Sequence, residues 1–156
     1  MKKYFSSSYL IDSNEIYQDQ IVAFDLYYEV EYNKTFNCHL AKRYQRNNVT
    51  SVVYYDVEFS QDLLQYHIEN YKKGVNMQIY FNISEDQKYI RIYNEGILSE
   101  MLTYKYKNKR LTVMIWQDNF YNLIEYRQCI YDDSGTQIAE KIFYPDSWTI
   151  HTEKII

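Results

Sequence analysis

Few residues in this chain have the types and spacing that chemistry needs. His39 is the foremost, because alternating strands would set it between Glu29 and Asp56. A histidine oriented by a carboxylate is the usual arrangement of a general base. The same groups could begin a metal site, but Cys38 would point to the opposite face of its strand and cannot join. No Ser or Cys sits at a nucleophile elbow, and no HExxH is present. Gly74, Gly96 and Gly135 are too scattered to form a phosphate loop. His67 falls in a helical pattern and His151 in the last strand, both positions of packing or surface. Asp132 and Asp133 lie in a turn, where Asp bonds its own backbone. Cys38 and Cys129 belong to no CxxC pair and are expected to be buried, inert thiols. An enzyme is therefore not expected, nor any metal or cofactor.

The elements that would position these groups are strands. In "AFDLYYEVEY" (Ala23–Tyr32) the even positions suit a buried face, while the odd positions carry Asp25, Tyr27, Glu29 and Glu31. A turn centred on Lys34 would pair Glu29 with His39 and Asp25 with Arg43, burying Val30 against Cys38. A next turn between Asn47 and Asn48 would bring Asp56 opposite His39 and leave Val53, Tyr55 and Val57 inside. Three strands would then present Asp25, Tyr27, Glu29, Glu31, His39, Tyr54, Asp56 and Glu58 on one water-facing side, with Arg43 the only positive charge. Like charges across strands cost roughly 0.2–1 kcal/mol per pair. A face that tolerates them suits a partner, with Tyr27 and Tyr54 as anchors and the acids steering a basic protein. A plainly solvated face is the alternative.

The rest of the chain is read the same way. Asn-rich breaks separate alternating runs at 36–45, 49–59, 75–82, 88–93, 97–106, 110–117, 120–131, 136–144 and 148–155. A first strand spans about 4–11, with "DSN" (12–14) as its turn. The period changes only in "SQDLLQYHIENYKKG" (60–74), which predicts one helix near 61–73, capped by Ser60 and ended by Gly74. Its apolar stripe would be Leu64, Ile68 and Tyr71, with Leu63 beside it. Close-spaced turns favour an antiparallel meander without parallel crossovers, a twisted sheet or open barrel. No linker interrupts residues 1–156, so a single domain is expected.

Composition agrees. The chain of 156 residues holds 20 Tyr but only three Gly and one Pro, which favours a mainly β, ordered domain. A net charge of −4 speaks against nucleic acid, which needs a basic face, and suits a basic protein partner. No apolar stretch approaches the ~20 residues that span a bilayer, and the start "MKKYFSSSYLI" lacks the apolar core of a signal peptide. No membrane association and a cytoplasmic location are expected.

"YDDSG" (Tyr131–Gly135), with looser echoes in "YNEG" (93–96) and "YKNK" (106–109), resembles the Tyr-turn hairpins of YD and MORN-like repeat proteins. Such arrays occur in bacterial polymorphic-toxin systems, and the small, acidic, cysteine-poor chain as a whole resembles their immunity proteins. The resemblance implies a non-catalytic scaffold that binds and occludes a cognate protein toxin. A small-ligand-binding β-barrel or cup, its inward tyrosines serving as polar anchors in an apolar pocket, is the other reading.

Overall fold

The computed structural model describes residues 2–6, 15–146 and 149–154. Residues 7–14 and 147–148 lie outside it, and with them most of the expected first strand, the "DSN" turn and Trp148. The fold is mainly β and mostly antiparallel, with one α-helix among the described residues. By contact the chain forms two compact units, Met1–Tyr80 with Ile92–Ile97, and Phe81–Arg91 with Leu98–Ile156. Strands β6 (Asn76–Ser84) and β7 (Gln87–Asn94) contribute residues to both.

In the first unit the strands lie in the order β6-β5-β4-β3-β1-β2, where β1 is Lys3–Phe5, β2 Glu15–Ile16, β3 Leu26–Asn33, β4 Cys38–Gln45 and β5 Asn48–Tyr55. A 3-10 turn at Gln18–Ala23 takes the first residue of the expected 23–32 strand, and Phe24 and Asp25 are irregular, so the strand begins at Leu26. β5 and β6 are parallel, with Val52 beside Met77 and Tyr54 beside Ile79. This corrects the expectation of a meander without crossovers. The segment from Asp56 to Val75 exceeds the dozen residues a parallel crossover needs, and it contains the helix.

That helix, α1, runs Gln61–Asn70, with the Ser60 hydroxyl accepting from the Leu63 amide at 3.1 Å. It stops short of residue 73 because Tyr71 turns extended, at φ −128° and ψ 148°. Its inward residues are Leu63 and His67, not the expected Leu64–Ile68–Tyr71 stripe. Leu63 joins Val52, Tyr54, Met77 and Ile79, all fully buried, as the core of this unit. At the far end of the unit, the Glu95–Gly96 turn presses on the helix: a Cβ on Gly96 would lie 2.7 Å from Leu64 Cδ2.

The second unit holds β8 (Ile97–Lys107) from Leu98 on, β9 (Arg110–Asp118), β10 (Leu123–Tyr131), β11 (Gln137–Tyr144) and β12 (Thr149–Lys154), adjacent in chain order and antiparallel. In β9 every residue from Leu111 to Asp118 is half-buried. Side chains of a strand alternate between faces, so equal partial exposure along it means that neither face is fully covered. The strand run of neither unit closes on itself into a barrel. No helix among the described residues is long and apolar enough to cross a membrane.

Candidate functional site

The expected acidic face depends on register, and the observed register reverses it. Asn33 is the last residue of β3, pairing with Cys38, and the turn is the four residues Lys34–Asn37. The Asn33 side-chain oxygen accepts from the amides of Thr35 (2.9 Å) and Phe36 (3.3 Å), and Asn37 takes φ 50°. Glu29 therefore faces Lys42, Tyr27 faces Tyr44 and Glu31 faces Leu40. The shift from the expected pairing is odd, so every side chain of β4 changes face relative to β3. The next turn sits at Arg46–Asn47, both with positive φ, and a bulge follows at Arg43/Tyr44, so His39 faces Tyr55 rather than Asp56.

The proposed surface is thus not formed. Glu29 (6% exposed), Tyr27 (8%) and Tyr54 (0%) are buried. His39 is exposed on the opposite side of the sheet, at the edge of the Tyr32 ring (5.0 Å between centroids). Asp25 is exposed before β3, where its carbonyl accepts from the Arg46 amide, while Asp56 and Glu58 are exposed beyond the other end of β5. Glu31 is half-buried beside Glu29. A general base at His39 held by Glu29 and Asp56 is excluded by the same geometry.

What the register does assemble is a closed charge cluster. Lys42 Nζ donates to Glu31 at 2.6 Å and to Glu29 at 3.2 Å, and Lys2 Nζ reaches Glu29 at 3.0 Å. Burial opposes the Lys42 charge, but its bond to Glu31 and the nearness of Glu29 hold its pKa above the ordinary lysine value. Two carboxylates and two ammonium groups cancel. Tyr27 and Tyr44 stack beside them (4.7 Å, 5° between planes), and burial together with the Glu29 charge raises both hydroxyls.

His67 is equally committed. The Tyr54 hydroxyl lies 3.1 Å from its Nδ1, and its Nε2 lies 3.0 Å from the Val75 carbonyl. The carbonyl can only accept, so Nε2 carries the proton and Nδ1 receives the tyrosine's. Burial lowers the His67 pKa and keeps the ring neutral. Burial likewise raises Tyr54, and it pushes Tyr71 up to about 12. In the second unit Arg127 binds Glu125 (3.0 Å) and Glu140 (2.9 Å), and Trp116 Nε1 donates to Glu100 at 3.1 Å. Among the described residues no fully buried side-chain nitrogen or oxygen lacks a hydrogen-bond partner. No three His, Cys, Asp or Glu side chains among the described residues converge as a metal site, and both cysteines are buried free thiols.

The exposed feature of the second unit emerges from two matching turns. In the β10–β11 turn, Asp132 Oδ1 accepts from the Thr136 amide (2.9 Å), the Asp132 amide donates to the Thr136 carbonyl, and the Gly135 amide donates to the Asp132 carbonyl. In the β9–β10 turn, Asp118 makes the same three bonds through Asn122 and Tyr121. Its Oδ1 also accepts from the Phe120 amide at 2.8 Å. Residue for residue, Phe120–Tyr121 stands where Ser134–Gly135 stands. Gly135 has φ 86°, and Tyr121 has φ 66°. Both rings point to solvent, Phe120 75% and Tyr121 69% exposed.

Comparison of the chain with protein-family models, curated proteins and solved structures returned no match.

The aromatic tip was overlooked in the sequence because Asp118 and Asn119 read only as a break between strands. Aligning "DNFYN" (118–122) with "DDSGT" (132–136) is the signal that finds it. The charge clusters left none, since each draws its members from different strands.

Proposed function

We propose that the protein is a non-catalytic binding protein of the immunity type, cytoplasmic in a bacterium, which occludes a cognate protein toxin. The observation that carries this reading is the Phe120–Tyr121 tip. A left-handed conformation costs a side-chain-bearing residue roughly 1–2 kcal/mol, and the matching turn avoids that cost with Gly135. Here the chain accepts it and also exposes two large rings. Rigid exposed aromatics, held by side-chain and backbone hydrogen bonds, are efficient anchors because little entropy remains to be lost on binding. Asp118 is the only charged residue in 117–122, and Glu100 lies across from it. Without cations at the tip, an anionic membrane gains nothing electrostatic there, so a protein pocket is the favoured receptor. The net charge of −4 suits a basic partner. The acids once expected to line the contact face contribute through Asp25, Asp56 and Glu58 only, at separate places.

The test is co-expression with a toxin encoded at the same locus. The expected result is restored growth and a stoichiometric complex for the wild type, and loss of both for the Phe120→Asp/Tyr121→Asp variant with its fold intact. A locus without a toxin gene, or toxicity undiminished by saturating protein, overturns the reading. Full protection by the double variant overturns the assigned surface.

A further inference from the structure

The first unit carries a groove that none of this explains. It opens between the last turn of α1, the 71–75 segment, the start of β6 and the β7–β8 turn, with a volume of about 510 Å³. That lies within the ~300–1,000 Å³ of small-molecule sites. Met77, 1% exposed, and Tyr93, 6%, form the floor together with Val75 and Leu64. Ile68 stands on the helix at the groove's edge, 55% exposed, and Ile97, next to the lining Gly96, is 70% exposed. Ile68, within the lining, and Ile97, next to it in sequence, leave large apolar side chains exposed at this end of the unit.

The polar groups of the groove are few and unequal. Glu95 is the only carboxylate in its lining, and it is already held by Lys73 at 3.4 Å. Lys72 has no ion pair among the described residues. One uncompensated positive charge therefore borders the apolar floor. It also lies just past the end of α1, where the helix dipole is negative and an anion would otherwise be repelled. His67 lines the groove, but both its nitrogens are engaged with Tyr54 and Val75. The groove has the means to bind and no free group to react.

We propose that this groove binds a small amphiphile with a single negative charge, its apolar chain lying along Leu64, Ile68, Met77 and Tyr93 and its head group at Lys72. The proposal stands apart from toxin binding, which uses the other unit.

Calorimetric titration with dodecanoate below its micellar concentration, set against dodecyltrimethylammonium, tests it. The expected result is saturable one-to-one binding of dodecanoate and at least tenfold weaker binding of the cation. Lys72→Gln should weaken dodecanoate about fivefold, the worth of one partly exposed ion pair, and leave the cation unaffected. Ile68→Asp should abolish dodecanoate binding. Both side chains point to solvent in part, so the variants should keep the wild-type circular dichroism and melting temperature. Equal affinity for the two head groups, binding untouched by either variant, or no binding overturns the proposal. Retention on phosphatidylglycerol vesicles in place of monomer binding overturns it in favour of a membrane surface.

Discussion

His67 is where pH reaches the fold. Its pKa in the folded protein lies below the unfolded value of about 6.5 because burial disfavours the imidazolium. The unfolded chain therefore binds more protons in that window. The His67 contribution is present above about pH 6.5 and is lost progressively as pH falls from there through the lower folded pKa. His67→Ala should lower the melting temperature at pH 7.5 and flatten its decline between pH 7 and 5, read by calorimetry. Lys42 offers a different test. Its removal leaves Glu29, with a side chain 8% exposed, and Glu31 side by side with only Lys2 to compensate. Lys42→Met should cost about 3 kcal/mol in urea unfolding at pH 7. Tyr121 predicts the opposite sign. Tyr121→Gly should stabilise the protein by about 1 kcal/mol while weakening binding of the proposed toxin partner, a separation that a purely structural role would not produce.

At the scale of elements, glycines that look alike in the chain differ in cost. Gly96 sits at φ 83° with Leu64 Cδ2 in the path of any Cβ, whereas at Gly135, φ 86°, the obstacle is the Arg110 guanidinium at the end of a flexible side chain. Gly96→Ala should destabilise by about 2–3 kcal/mol and Gly135→Ala by about 1–2, compared by thermal unfolding. Helix α1 was legible because the signals of its start are local, the Ser60 cap and the change of period, although it ends at Tyr71 and not at the glycine expected to end it. Its inner face was not. The apolar residues Leu64 and Ile68 suggested one side, but Leu63 with the polar His67 faces the sheet, because Tyr54 and the Val75 carbonyl supply hydrogen bonds that make a buried imidazole acceptable. Some turns were legible for the same local reason, though the turn at Lys34–Asn37 was not legible in its length. "YNEG", "YKNK" and "YDDSG" all end strands, and positive φ falls at Glu95, Asn108, Lys109 and Gly135 within them.

For the whole molecule, a net charge of −4 predicts that association with the proposed basic partner is steered. The association rate should fall by about tenfold from low salt to about 0.15 M salt, with the dissociation rate little changed, as stopped-flow mixing would record. Composition alone determined the class, since twenty tyrosines with scarce Ala, Gly and Pro make strands. The antiparallel run of the later strands and the single helix were also written in the chain, but not the parallel pairing of β5 with β6 or the place of β1 between β3 and β2. Which side of β3 lies inside was decided only on folding. Side chains alternate at every residue, so a turn of four residues in place of three takes His39 away from Glu29 and sets Lys42 beside it, while Tyr27, Glu29 and Tyr54 still share one face, the buried one. That choice is settled by partners distant in sequence: Lys42 and Lys2 neutralise the carboxylates, and α1 covers Tyr54, stabilising a face whose residues by type belong outside.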